Sequence, residues 1–325
     1  MRKSLLLITV LLYAIYMPTA SFAAEEVAAA EVAAKPESSW TATSNIGFVS
    51  DYYVRGISDN WHKPATQGGF DIAHSSGFFA GVWGSNVSPS TFQDATIQLD
   101  VYGGYSGSIL ATEGLGYSLG AIGYFYSGGS WEKYNYLGVP DQTPNGDRWD
   151  TYEANAALSY KLISARASVT LGDWFGAEKA TGWDGVTNVT NYLELNAAYP
   201  IPWSGLTLIG HVGYLNVAGK LDLTVASSGN ALNEDNPDYT DYKFGLSKSF
   251  KIANTEGWNA GVYYVGASDT GYWRGRGFGS ASYAGKADVK DLADNSWITS
   301  IWSCILTKQQ LIDRELKNKS IINFI

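Results

Sequence analysis

From Trp40 onward the chain alternates in hydrophobicity with a period of two. Ile97, Leu99, Val101, Gly103 and Tyr105 share one side of an extended strand; Gln98, Asp100, Tyr102 and Gly104 share the other. The stretch 152–160 repeats this, with Tyr152, Ala154, Ala156, Leu158 and Tyr160 opposite Glu153, Asn155, Ala157 and Ser159. Such a period belongs to strands whose two faces meet different surroundings. Segments of this kind are read near 45–55, 67–74, 78–85, 95–105, 114–126, 150–161, 165–172, 189–199, 206–217, 239–250 and 258–267. Either a soluble sandwich or a membrane barrel satisfies the alternation.

Aromatic spacing separates the two. Tyr117 and Phe125, Tyr152 and Tyr160, and Tyr242 and Phe250 each lie eight residues apart on the apolar face. Eight residues of tilted strand cover roughly 20 Å of height, close to the ~25 Å lipid-facing band that aromatic girdles border. A soluble core gives no reason to place aromatics at both ends of an apolar stripe. Lys248, on that face beside Phe250, interrupts it and is expected to snorkel to an interface.

The connections alternate as well. Ser75-Ser76-Gly77 and Leu162-Ile163-Ser164 are tight, whereas 127–149, 218–238 and 268–290 are long and polar. Short turns on one side and long loops on the other are the habit of outer-membrane barrels. An open sheet edge cannot sit in lipid, so eleven strands call for a twelfth. The expected fold class is therefore all-β: a transmembrane antiparallel β-barrel of about 12 strands.

Composition agrees. Only 16% of residues are charged, with 36 Gly, 22 Tyr, 12 Trp and 12 Phe, yet mean hydropathy is −0.12. One face in lipid and one in water cancel in that average. So many aromatics exclude a disordered chain. One Cys excludes a disulfide framework and a Cys-based zinc site. A net charge of −9 argues against nucleic acid as a partner.

The first residues read as an export signal. Arg2 and Lys3 precede an apolar run from Leu5 to Tyr16, with small residues at Ser21 and Ala23. The run is too short for the roughly 20 residues of a membrane span, so residues 1–23 are a signal peptide with cleavage after Ala23. Losing two cations takes the net charge from −9 to −11. Residues 24–39, rich in Ala and Glu, form an acidic periplasmic linker ended near Pro36. The barrel is assigned to 40–306.

The run Ser50-Asp51-Tyr52-Tyr53-Val54-Arg55-Gly56 is followed by Pro64-Ala65-Thr66-Gln67-Gly68-Gly69-Phe70-Asp71 and by His74-Ser75-Ser76-Gly77-Phe78-Phe79-Ala80-Gly81-Val82-Trp83-Gly84-Ser85-Asn86. This succession resembles the TorF-like porin family of proteobacterial outer-membrane proteins. Its specific motifs cover about residues 45–105, with weaker similarity to about 294, including Lys290-Asp291-Leu292-Ala293-Asp294. The resemblance implies a small outer-membrane barrel that passes small solutes, and names no permeant.

The C-terminus departs from that family. Its members end in one strand closing on an aromatic residue soon after the Asp-Leu-Ala-Asp run, whereas this chain continues to Ile325 and turns Lys-, Ile- and Asn-rich. One explanation is a reading frame altered near residue 295, which makes 307–325 a frameshift-derived tail and disrupts the last strand. The other is a genuine tail, with Trp297 to Leu306 still serving as the twelfth strand. Either way, the terminal Ile325 is a poor signal for the barrel-assembly machinery.

By parity, the face opposite the apolar one carries Asp51, Arg55, Asp71, Asp100, Glu153, Asn155, Arg166, Glu194, Asp241 and Lys243. Lys or Arg at mid-membrane on the lipid face costs about 2–4 kcal/mol, so these are candidate pore-lining residues. The competing arrangement has them pair across the lumen and plug it. Asp51 with Arg55, four apart, and Asp241 with Lys243, two apart, are placed to pair locally. Outside, Asp141, Asp147, Glu234, Asp235 and Asp238 make an acidic vestibule that favours cations or neutral solutes.

Catalysis finds little support. His62, His74 and His211 show no metal-ligand spacing, and neither H-E-x-x-H nor G-x-S-x-G occurs. His211 faces the same way as Thr207 and is read as a structural hydrogen-bonding residue. The Asn/Asp-rich stretch 230–241 lacks the EF-hand spacing. The chain is expected to be no enzyme and to need no metal or cofactor. The expected function is an outer-membrane porin passing small polar solutes, with outer-membrane lipid, lipopolysaccharide and the barrel-assembly machinery as partners. The alternatives are a closed structural or ligand-binding barrel acting through loops 127–149 and 218–238, and a soluble periplasmic protein binding carbohydrate through Trp and Tyr.

Overall fold

The computed structural model describes residues 39–109, 112–130, 148–181, 183–220, 236–253, 255–268, 272–273 and 290–306. Twelve antiparallel strands close into one barrel. Its wall consists of β1 (Trp40–Val49), β4 (Ala65–His74), β5 (Phe78–Asn86), β6 (Ile97–Ser108), β7 (Leu115–Tyr126), β8 (Thr151–Tyr160), β9 (Ile163–Thr170), β10 (Asn191–Ile201), β11 (Leu206–Asn216), β12 (Tyr239–Ile252), β13 (Thr255–Ser268) and β14 (Ser296–Leu306). Two further strands, β2 (Tyr53–Val54) and β3 (Ile57–Ser58), form a separate hairpin. No α-helix occurs among the described residues; Trp174–Gly176 and Lys179–Thr181 are single 3₁₀ turns.

Each wall strand pairs with its neighbours in sequence, and β14 pairs with both β13 and β1, from Thr43↔Leu306 to Val49↔Ser300. The composition break near 295 therefore does not abolish the closing strand. Residues 307–325, the signal and most of the linker lie outside the described residues.

The period-two pattern becomes an outside and an inside. Ile46, Phe48, Leu99, Val101, Leu119, Leu158, Leu193, Leu195, Val212, Leu246 and Val262 are exposed on the outer surface. A water-soluble monomer rarely exposes so continuous an apolar band. Tyr152 and Tyr160 project outward at the two ends of β8. Tyr117 and Phe125 lie on the same outward parity near the ends of β7, as do Tyr242 and Phe250 on β12. Further aromatics join these levels. Phe125 meets Tyr152 edge-on at 5.7 Å, and Tyr105 lies between Phe78 and Tyr117.

Two details differ from the sequence expectation. The first wall strand is 40–49 rather than 45–55: the chain leaves the wall after Val49 and folds inward. The tight turn between β8 and β9 is Lys161-Leu162, so Ile163 already belongs to the wall.

The Trp residues divide between two settings. Trp40, Trp203 and Trp297 are exposed, but Trp61, Trp83, Trp149, Trp174, Trp183 and Trp273 are buried in a core at the long-loop end. There Phe92 stacks on Tyr126 at 4.1 Å, and Trp174 meets Trp183 and Trp273 edge-on, each at 6.0 Å. Among the described residues, the connections at this end thus pack on one another through rings.

Candidate functional site

The inward excursion, residues 50–64, builds the site. Its tip reads Val54-Arg55-Gly56-Ile57, with Arg55 at φ 47° and Gly56 at φ 78°. Two consecutive residues of positive φ between paired strands are the type I′ turn, whose twist suits a two-residue hairpin. Gly56 is also required sterically. A Cβ there would lie 2.6 Å from Asp241 Cβ and 2.9 Å from the Gly266 carbonyl oxygen. The tip is therefore pressed against β12 and β13 inside the barrel.

Arg55 reaches from this tip to β8. Its Nη1 and Nη2 donate to Glu153 Oε1 and Oε2 at 2.8 and 2.7 Å, a bidentate pair buried at both ends. Its guanidinium also lies 4.2 Å from the centre of the Tyr192 ring. Parallel guanidinium–carboxylate bonds fix direction as well as charge, which a lysine could not do.

The neighbouring charges pair across adjacent strands. Arg166 Nη2 lies 2.7 Å from Glu194 Oε1, where β9 and β10 put the two residues in register. His211 Nε2 lies 2.8 Å from Asp241 Oδ1, and the Tyr192 hydroxyl donates to Asp241 Oδ2 at 2.9 Å. Asn196 Oδ1 lies 2.6 Å from the other ring nitrogen of His211. Tyr102 donates to Asp71 through space left by Gly81, whose Cβ would fall 2.5 Å from Asp71 Oδ1. Asp100 is fully buried and accepts from Gln98 Nε2 at 2.9 Å. Lys243 Nζ stands 5.3 Å from the centre of the Tyr263 ring.

All ten residues proposed from parity thus lie inside the barrel, but two of them by another route. Asp51 and Arg55 belong to the inserted segment, not to a wall strand. The expected Asp51–Arg55 pair is replaced. Asp51 takes Ser58 Oγ at 2.7 Å and His62 Nδ1 at 2.9 Å, while Arg55 takes Glu153. Asp241 takes His211 and Tyr192. Asp141, Asp147, Glu234 and Asp235 lie outside the described residues; Asp238 holds the Val217 amide at 2.7 Å. Among the described residues, no group of three His, Cys, Asp or Glu is placed to hold a metal.

Where the hairpin faces β6–β9 it leaves a cavity of about 30 Å³, lined by Tyr52, Arg55, Tyr124, Glu153, Asn155 and Arg166 among others. That is room for a couple of waters.

The segment is also tied at the mouth. Ser58 N–H donates to the Leu292 carbonyl at 2.8 Å, the Tyr53 hydroxyl to Asp294 O at 2.7 Å, and Lys290 Nζ to Trp61 O at 3.3 Å. Leu292 is fully buried. The runs 50–56 and 290–294, both singled out by sequence, are therefore one contact in space. His62, which the sequence offers only as a histidine without metal-ligand spacing, is part of this contact. It follows Trp61, and both residues have positive φ.

Among solved structures, the KdgM porin is similar at 8% identity, covering 80% of this chain and 98% of that one, with a TM-score of 0.41. The NanC porin is similar at 13% identity over 81% and 98%, with a TM-score of 0.42. Acinetobacter baumannii OccAB3 is similar at 10% identity over 82% and 65%, with a TM-score of 0.36. These likenesses are too distant to transfer a register, a lumen shape or a permeant. No curated relative matches the chain in sequence. A family profile does, over residues 33–302, and by that match the chain belongs to the Gcw_chp family, bacterial proteins of unknown function.

Proposed function

We propose that this protein is an outer-membrane porin of the TorF-like kind. It would pass small polar solutes passively, with segment 50–64 as its constriction. One observation carries the reading: a closed wall, apolar outside and charged inside, receives a hairpin from its own first connection. A barrel needing only to be stable would gain more from apolar filling, because buried ion pairs rarely repay their desolvation. The ten inward residues are then the pore lining, and the outward aromatics the girdles. An export signal cleaved after Ala23, insertion by the barrel-assembly machinery and contact with lipid and lipopolysaccharide complete the proposal.

The pairing of Arg55 with Glu153 and the aromatic core at the mouth favour a second reading, a closed barrel that binds partners through its long loops. Refolded full-length protein in liposomes separates the two. The channel reading expects uptake of small neutral and cationic solutes above empty vesicles. Uptake equal to empty vesicles, with the barrel intact by heat-modifiable gel mobility, supports the closed one.

A further inference from the structure

His62 stands where the inserted segment meets the 290–294 stretch, and both of its ring nitrogens face acceptors. Nδ1 lies 2.9 Å from Asp51 Oδ2, and Nε2 lies 2.7 Å from the Asp291 carbonyl oxygen. The Tyr53 hydroxyl, 3.3 Å from Nδ1, is committed as a donor to Asp294 O at 2.7 Å. It therefore offers the ring only a lone pair. A neutral imidazole has one N–H and must turn its other nitrogen toward an acceptor. Only the imidazolium donates to both Asp51 and Asp291.

The groups around the ring agree with that state. The hydrogen bond to Asp51 lifts His62 above the ordinary imidazole range, partial burial opposes this, and the Asp291 carbonyl adds to it. Lys290 is the cation that opposes the charge, and it is held by the Trp61 carbonyl. Asp51 is itself anchored by Ser58, whose amide bonds Leu292. One ring thus connects the start of the insertion, its hairpin and the 290–294 stretch.

We propose that protonated His62 is a latch that holds segment 50–64 in the lumen, so that the passage is narrow in acid and widens as the pH rises. This rests on the channel reading for its consequence but not for its geometry. The sign follows from linkage. A histidine whose pKa is raised by folding contributes fully below its unfolded value of about 6.5, and the contribution fades as pH rises through the folded value. Protons outside the cell would then close the route.

Two measurements on the refolded full chain test this. The first is hydrogen-exchange protection of residues 50–64, as protection factors that remove the intrinsic pH dependence of exchange. Between pH 5 and pH 8 wild-type protection falls, about tenfold for each unit by which folding raises the His62 pKa. His62→Gln, which cannot take up the proton, gives one low value at both pH values, whereas His211→Gln keeps the wild-type response. Equal wild-type protection at both pH values, or a response that survives in His62→Gln, overturns the latch. The second is solute flux at the same two pH values, which should rise with pH in the wild type only where protection falls. Protection that follows the latch, with no flux at either pH, sinks the channel reading and leaves the latch standing.

Discussion

Arg55 and Glu153, 98 positions apart in sequence, meet in the lumen through two parallel hydrogen bonds of 2.8 and 2.7 Å. One comes from the turn of a hairpin that belongs to no wall strand, the other from the third residue of β8, toward the long-loop end of the wall. The contact ties the tip of the insertion to β8, on the wall.

Removing one partner leaves the other charge buried and uncompensated. Glu153→Gln is expected to destabilise the barrel by about 3–5 kcal/mol, in the manner of other broken buried pairs. The double change Arg55→Met with Glu153→Leu should cost much less. Urea unfolding in lipid vesicles measures both, and equal losses would mean that the pair carries no specific weight.

The type I′ turn makes a separate demand. Gly56→Val asks a β-branched residue to hold positive φ, a strain of about 1–3 kcal/mol, and drives a side chain into Asp241 and the Gly266 carbonyl. The hairpin should leave its seat while the wall persists. Protease sensitivity confined to residues 50–64, with unchanged heat-modifiable mobility, is the expected result. Loss of the whole barrel would show that the insertion is part of the folding core.

The outer band is tested at Leu195, exposed near the middle of β10. Leu195→Arg should cost about 2–4 kcal/mol when the protein is folded in a bilayer, because the charge then sits near its midplane. A cost near zero would place that surface in water and remove the membrane from the account.

Most of the wall was legible in the sequence, because a strand between lipid and water writes its two environments into alternate residues. The strands at 78–86, 115–126, 151–160 and 206–216 fall within a residue or two of where alternation puts them. Residues 50–56 misled for the same reason. Asp51, Tyr53 and Arg55 continue the odd-numbered inward face of β1, so the pattern cannot show that the chain has left the wall. The Arg-Gly pair was the available sign of a turn. The ion pairs were not legible at all, since a contact such as Arg55 with Glu153 depends on how the whole ring closes. The mouth core was hidden by composition: a Trp at a girdle and a Trp under a loop count alike.

The central claim is that segment 50–64 narrows the lumen of a membrane channel. Single-channel recording in planar bilayers tests it most directly, comparing the wild type with a chain whose residues 53–58 are replaced by a Gly-Ser linker of equal length. The account predicts a small unitary conductance for the wild type and a several-fold larger one for the replacement. Equal conductances, or no channels from either folded protein, would contradict it.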